Sequence, residues 1–218
     1  MVGPRSKPDG TVGNVGKRSG VGRVLLSISE VTCLRYSRSG KVLAVGCRDK
    51  LIHILSVGTG YKRVSVCKGH SSFPQQLDFS QDELYIQSND AAREILYWNV
   101  QTAKREKNIL LRDQVFSSGT CVYGWHCHGV HNGKFGRIEE GDINAVMRSV
   151  DGQLVVAGGS NTVEGPVKLF RYPCLDAAIP HSYVGHTCPV LDVAFLSSDE
   201  MVVTIGGNDM SVLLWDVK

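Results

Sequence analysis

Short runs of β-branched and other apolar residues, separated by turn residues, make up most of the chain from Val24 onward. Val42-Leu43-Ala44-Val45 and Val202-Val203-Thr204 are typical runs, and glycine, asparagine, aspartate and serine lie between such runs. Runs of this length favour β-strands, and no segment keeps the period of a long amphipathic helix. The pattern therefore predicts an all-β chain.

The strand-like runs recur in units of similar length, at about residues 31–57, 69–100, 142–172 and 185–217. A stretch at about residues 112–141 separates the second unit from the third and is too long for an ordinary turn, so we expect an insertion loop there. Residues 1–23 are rich in glycine and poor in large apolar side chains. That composition predicts a flexible basic leader ahead of the repeats.

The last unit contains Gly185-His186 and, about thirty residues later, Trp215-Asp216, which is the signature of a Trp-Asp repeat. In such a repeat the histidine links an aspartate in a turn to a strand hydroxyl, and the hydroxyl also accepts the tryptophan indole N–H. Buried polar groups need partners of this kind. We therefore predict a relay formed by His186, Thr204, Asp209 and Trp215.

The second unit carries only part of the same relay. His70, Ser88 and Trp98 are present, but Ala92 stands six residues before the tryptophan, where the last unit has its aspartate. Asp90 lies two positions earlier. Either the turn is remodelled or the relay is broken. In the first unit Leu55 stands where the tryptophan would be.

These repeats define the expected fold. At about 40–45 residues per blade, 218 residues hold about five blades at most, and β-propellers usually have about 4–8 blades. We therefore predict that residues 24–218 form an all-β, partial β-propeller of about four Trp-Asp repeat blades, part of a larger propeller.

Composition excludes several kinds of function. The net charge of +3 is not the concentrated charge expected of a nucleic-acid binder, and no apolar run approaches the length of a membrane span. The seven cysteines form no CxxC pair, so we expect reduced, buried thiols. We expect no metal, no cofactor, no nucleic-acid partner and no membrane contact. The densest cluster of possible zinc ligands has a spacing that fits no closed site: Cys121, His126, Cys127, His128 and His131.

Catalysis is an alternative reading of the last unit, because an aspartate-oriented histidine can activate a hydroxyl group. His186, Thr204 and Asp209 supply those residue types. In a propeller blade the same set is structural, and no polar residues converge elsewhere in the chain. The sequence therefore predicts a protein that is not an enzyme.

Basic residues follow the last strand of the second unit, in a connection that we expect to be exposed. They alternate with Glu106 and Asp113, so a solvated loop is one interpretation. A salt-sensitive contact with the acidic tails of tubulin is the other. The candidate contact residues are Lys104, Arg105, Lys107 and Arg112.

Several segments, in one order, resemble the echinoderm microtubule-associated protein-like family. The resemblance covers about residues 31–218 and is to the second half of the C-terminal propeller. It implies surface loops that bind tubulin or microtubules, other protein partners at the propeller face, no catalysis, and a cytoplasmic location on the cytoskeleton. A Trp-Asp repeat adaptor that does not contact tubulin is the alternative. The segments are Cys67-Lys68-Gly69-His70-Ser71-Ser72-Phe73, Glu94-Ile95-Leu96-Tyr97-Trp98, Gly141-Asp142-Ile143-Asn144-Ala145-Val146, Val167-Lys168-Leu169-Phe170-Arg171-Tyr172-Pro173-Cys174 and Tyr183-Val184-Gly185-His186.

Overall fold

The computed structural model describes residues 24, 26, 29–131, 142–160, 165–175 and 178–217. The chain divides into two compact units, Met1–Val115 and Phe116–Lys218. The predicted leader, residues 1–23, and the last part of the predicted insertion, residues 132–141, lie outside the described residues.

The first unit contains two antiparallel sheets, each an up-and-down meander of four described strands. A single 3₁₀ turn, Asn108–Leu111, follows the second sheet. The first sheet consists of β1 Val31–Tyr36, β2 Val42–Cys47, β3 Leu51–Ser56 and β4 Lys62–Lys68. The second sheet consists of β5 Pro74–Phe79, β6 Tyr85–Asp90, β7 Ile95–Asn99 and β8 Arg105–Glu106.

The second unit repeats this arrangement, except that its last sheet has three described strands. A 3₁₀ turn, His128–His131, precedes the strands. The third sheet consists of β9 Ile143–Arg148, β10 Leu154–Gly159, β11 Gly165–Arg171 and β12 His181–His186. The fourth sheet consists of β13 Val190–Phe195, β14 Met201–Gly206 and β15 Val212–Asp216.

Apolar side chains from facing sheets form the core of each unit. In the first unit, Ile52 and Ile54 of the first sheet pack with Phe79, Leu96 and Trp98 of the second sheet. These side chains are at most 2% exposed, so the two sheets share one dry core. Burial of this kind supplies about 1.5–3 kcal/mol for each large side chain.

Two core clusters lie among the described residues of the second unit. One joins the third sheet to the fourth through Val156, Val190 and Val193. A methyl group on Gly158 would lie 2.5 Å from Val190 Cγ1, so this glycine allows the inner strand of the fourth sheet to approach closely. The other core packs the described part of the predicted insertion against the third sheet, and its buried members include Val122, Cys127, Val130, Ala157 and Phe170.

Neither of the two short helices in the described residues has the length or apolar character needed to cross a membrane.

Candidate functional site

The structure brings together the four relay residues of the last repeat. His186, at the end of β12, has Nε2 2.7 Å from Thr204 Oγ1 on β14. The Trp215 indole N–H on β15 donates to the same oxygen at 2.9 Å. On the other side of the imidazole, Nδ1 lies 2.9 Å from Asp209 Oδ2. The relay therefore links the outer strand of the third sheet to two strands of the fourth.

Ser211 is an additional member of this relay that the sequence pattern did not identify. Its Oγ lies 2.9 Å from His186 Nδ1, and its backbone N–H donates to Asp209 Oδ1 at 3.1 Å. The backbone N–H of Thr187 donates to Asp209 Oδ2. Burial raises the pKa of Asp209, but the hydrogen bonds from His186 and Ser211 outweigh it and hold that pKa well below its usual range.

The second relay is present in a remodelled form. His70 Nε2 lies 2.7 Å from Ser88 Oγ, and the Trp98 indole N–H donates to the same oxygen at 2.7 Å. Asp90 Oδ2 lies 3.3 Å from His70 Nδ1, so a carboxylate lies beside the ring in this repeat too, although the two atoms do not have the geometry of a hydrogen bond. The turn is therefore remodelled, and Asp90 lies where the last repeat has its turn aspartate.

The strand register explains how Asp90 reaches the histidine. Asp90 pairs with Pro74, and Gly206 occupies the matching position in the fourth sheet, opposite Val190. A Cβ on Gly206 would collide with the Asp209 carboxylate, so a side chain at this position points directly to the place where the relay carboxylate lies. The hydroxyl and the tryptophan are 10 residues apart in the second sheet and 11 in the fourth, so the turn is one residue shorter.

Asp90 also organises the shortened turn. It accepts the backbone N–H groups of Ser72, Ala92 and Glu94 at 2.9–3.0 Å. Burial raises the pKa of Asp90, but these hydrogen bonds and the neighbouring His70 lower it below its usual value. Burial lowers the pKa of His70, and Asp90 opposes that shift only in part. At neutral pH the pair is therefore a carboxylate beside a neutral imidazole.

Both relay histidines are buried, which limits what they can do chemically. His186 is 1% exposed and His70 is 6% exposed. Their ring nitrogens face a serine or threonine hydroxyl on one side and a carboxylate on the other. Burial and these partners leave little of either imidazole open to a solute.

The predicted basic residues follow the outer edge of the second sheet. Arg105 lies in β8, where it pairs with Trp98, and Lys107 immediately precedes the 3₁₀ turn. Two large apolar side chains of this turn, Ile109 and Leu110, are 64% and 71% exposed. The edge therefore combines cations with exposed apolar surface. Its basic side chains are all exposed, and they are Lys104, Arg105, Lys107 and Arg112.

In the cysteine and histidine cluster of the predicted insertion, two histidine side chains contact backbone carbonyl groups of the same segment. His128 Nδ1 lies 2.6 Å from the Trp125 carbonyl oxygen, and His131 Nε2 lies 2.8 Å from that of Val122. Within the described residues, the groups with ligand atoms close enough for a cation lie elsewhere. They are Cys47, Asp49 and His53, and His70, Asp90 and Glu94.

Comparison with known proteins relates the chain to one family. Residues 11–217 match the family model described as the echinoderm microtubule-associated protein second beta-propeller. The chain is 41% identical over 197 residues to echinoderm microtubule-associated protein-like 2 of Rattus norvegicus, with 86% of this chain and 29% of that protein covered. It is 38% identical over 194 residues to echinoderm microtubule-associated protein-like 1 of Mus musculus, covering 86% of this chain and 23% of the relative. The chain thus spans less than a third of these relatives.

Solved structures support the fold at low sequence identity. The β-propeller domain of Cps50 (Swd1) from Myceliophteria thermophila aligns with a TM-score of 0.65 and 16% identity, over 88% of this chain and 67% of that domain. A chain of the mitotic checkpoint complex aligns with a TM-score of 0.64 and 15% identity, over 86% of this chain and 61% of that one. The prediction of an all-β partial propeller is confirmed. On the match of residues 11–217, the chain belongs to the echinoderm microtubule-associated protein-like family, in the part that forms the second propeller.

Proposed function

We propose that this chain is a non-enzymatic binding module for microtubules or tubulin that acts through the exposed basic edge of its second sheet. The relatives are named as microtubule-associated proteins, and this chain matches one propeller of that family. The function implies a cytoplasmic location on microtubules.

The observation that carries this proposal is the composition of the edge formed by β8 and the following 3₁₀ turn. It presents four basic side chains around the exposed Ile109 and Leu110. A cationic surface attracts an acidic protein segment, and ionic contacts of exposed side chains weaken as salt shortens the Debye length to about 8–10 Å. The apolar pair would add contact area that salt does not screen.

The relays have a structural role in this proposal. His70 and His186 are buried, and each connects neighbouring sheets through a hydroxyl that also accepts a tryptophan N–H. Buried hydrogen-bond networks of this kind make a core rigid. A rigid pair of sheets holds the basic edge in a fixed conformation, which lowers the entropy lost on binding.

Cosedimentation with polymerised microtubules, at low and moderate salt, tests the proposal. Replacing Lys104, Arg105 and Lys107 with glutamine should weaken binding by roughly 3- to 100-fold, since an exposed ion pair contributes about 0.2–1 kcal/mol. The matched control replaces three exposed cations on the outer strand of the first sheet, Lys62, Arg63 and Lys68. This control changes the net charge equally, so equal losses in both variants would contradict a specific basic edge.

The exposed apolar pair also favours the alternative function of a protein adaptor that does not bind tubulin. Replacing Ile109 and Leu110 with serine separates the two functions. A tubulin-binding edge should lose part of its microtubule affinity in this variant and keep its salt dependence. If the unmodified chain stays in the supernatant with microtubules at low salt, the adaptor function becomes the better explanation of the exposed pair.

A further inference from the structure

A buried histidine without a partner lies in the first sheet, outside both relays. His53 on β3 is 2% exposed, and neither of its ring nitrogens has a hydrogen-bond partner. Val45 lies opposite His53 in the register, and Leu55 stands where the second and fourth sheets have tryptophan, so neither of these neighbours can form a relay. An unpaired polar group in such a place costs about 1–3 kcal/mol unless something binds it.

Two further metal-ligating side chains lie beside this histidine. One possible ligand atom from each of Cys47, Asp49 and His53 lies within 4.8 Å of the other two. Cys47 ends β2 and is fully buried, whereas Asp49 is exposed on the turn that leads into β3. The Leu51 backbone N–H donates to Asp49 Oδ1 at 3.2 Å, which fixes the carboxylate on that turn.

We propose that Cys47, Asp49 and His53 bind a zinc ion, with water as the fourth ligand. Zinc binds thiolate sulfur at about 2.3 Å and imidazole nitrogen or carboxylate oxygen at about 2.0–2.2 Å, so the three side chains need only small rotations to surround it. A thiolate and an imidazole disfavour magnesium and calcium, which prefer oxygen ligands. As the zinc–sulfur bond forms, the Cys47 thiol releases its proton to solvent.

The proposed ion would stabilise the first sheet, as the relays stabilise the second and fourth sheets. It would give the buried imidazole a partner and tie the turn after β2 to β3. The second ligand-like group differs, because its histidine already has a hydrogen-bond partner. His70 Nε2 is bonded to Ser88, and Glu94 Oε2 accepts hydrogen bonds from the backbone N–H and the hydroxyl of Ser71. The inference does not depend on microtubule binding.

Titration of the metal-free full chain with zinc alone, in competition with a chromophoric chelator, tests the proposal. We expect one zinc per chain, and cobalt should give a tetrahedral spectrum with a thiolate charge-transfer band. Asp49→Asn keeps an oxygen for the Leu51 N–H and should weaken zinc binding by about 10- to 100-fold or more. Cys47→Ala should remove the thiolate band. The matched control is Cys67→Ala, which deletes another buried thiol of the same sheet and should bind zinc normally.

A thermal melt with and without zinc provides a second measurement. His53→Leu replaces an unpaired imidazole with an apolar group, so this variant should fold without metal. Zinc should raise the melting temperature of the wild type and of Cys67→Ala, and should leave that of His53→Leu unchanged. Substoichiometric zinc binding by the wild type would overturn the proposal, and so would equal zinc stabilisation of His53→Leu.

Discussion

Removing the Asp90 carboxylate should destabilise the chain strongly, because Asp90 takes the role that the turn aspartate has in the last repeat. Asp90→Ala would leave the N–H groups of Ser72, Ala92 and Glu94 without their acceptor and would expose His70 Nδ1 to an empty space. A hydrogen bond to a charged group contributes about 1.5–3 kcal/mol, and water entering the exposed turn would compensate for part of the loss. We expect a net loss of about 3–5 kcal/mol in the free energy of unfolding.

Urea unfolding followed by circular dichroism and by tryptophan fluorescence measures this loss. Asp90→Asn keeps one acceptor oxygen and should lie between Asp90→Ala and the wild type. Asp113→Ala removes an exposed carboxylate of the same unit and serves as the control. If Asp90→Ala lowers the free energy of unfolding no more than Asp113→Ala does, the Asp90 carboxylate does not stabilise the turn in place of the missing aspartate. The interpretation of a remodelled relay would then be wrong.

Three further predictions concern the relays. Trp98→Phe removes the indole N–H that donates to Ser88 at 2.7 Å in a buried site. The free energy of unfolding in urea should therefore fall by about 1–3 kcal/mol, and an unchanged midpoint would contradict the relay. Gly206→Ala should lower stability by about 1–3 kcal/mol in a thermal melt, because its methyl group would collide with Asp209. Gly58→Ala serves as the control and should be neutral, because no atom lies within 4 Å of its new methyl group. Burial, opposed in part by Asp90, holds the pKa of His70 in the folded chain below 6.5. As the pH falls, His70 therefore binds a proton in the unfolded chain before it does so in the folded chain. Stability should therefore fall from about pH 7.5 to about pH 5.5, by up to about 1.4 kcal/mol per pH unit, and His70→Asn should fall less steeply.

Sequence spacing predicted the fold class because each strand is a short apolar run bounded by turn residues. It also identified the members of the last relay, since His186 and Trp215 stand at fixed distances from the turn. Ser211 could have been found by the same count, because it lies four residues before the tryptophan, where Glu94 lies in the second repeat. Ser211 Oγ lies 2.9 Å from a ring nitrogen of His186, and a carboxylate oxygen of Glu94 lies within 4.8 Å of a ring nitrogen of His70.

Other features depend on register and burial, which spacing does not encode. The role of Asp90 follows from its pairing with Pro74 and from a turn shorter by one residue. The group of Cys47, Asp49 and His53 spans the end of β2, the following turn and β3, with no familiar metal-binding spacing. The outer strands β4 and β8 lie between the units defined by the sequence, and β12 begins before the last unit, because these polar and glycine-containing sequences carry little strand signal.

The fourth sheet presents a surface that differs in chemistry from the basic edge of the second sheet. Within the described residues, β15 is an outermost strand with no further strand paired to it. Apolar side chains on the face beside it, among them Leu191, Val212 and Leu214, are 58–63% exposed. An open edge with an apolar face favours pairing between copies, and association driven by apolar burial does not weaken as salt rises. Sedimentation that requires microtubules and falls with salt therefore reports the basic edge, whereas sedimentation without microtubules that persists or increases with salt reports the open sheet.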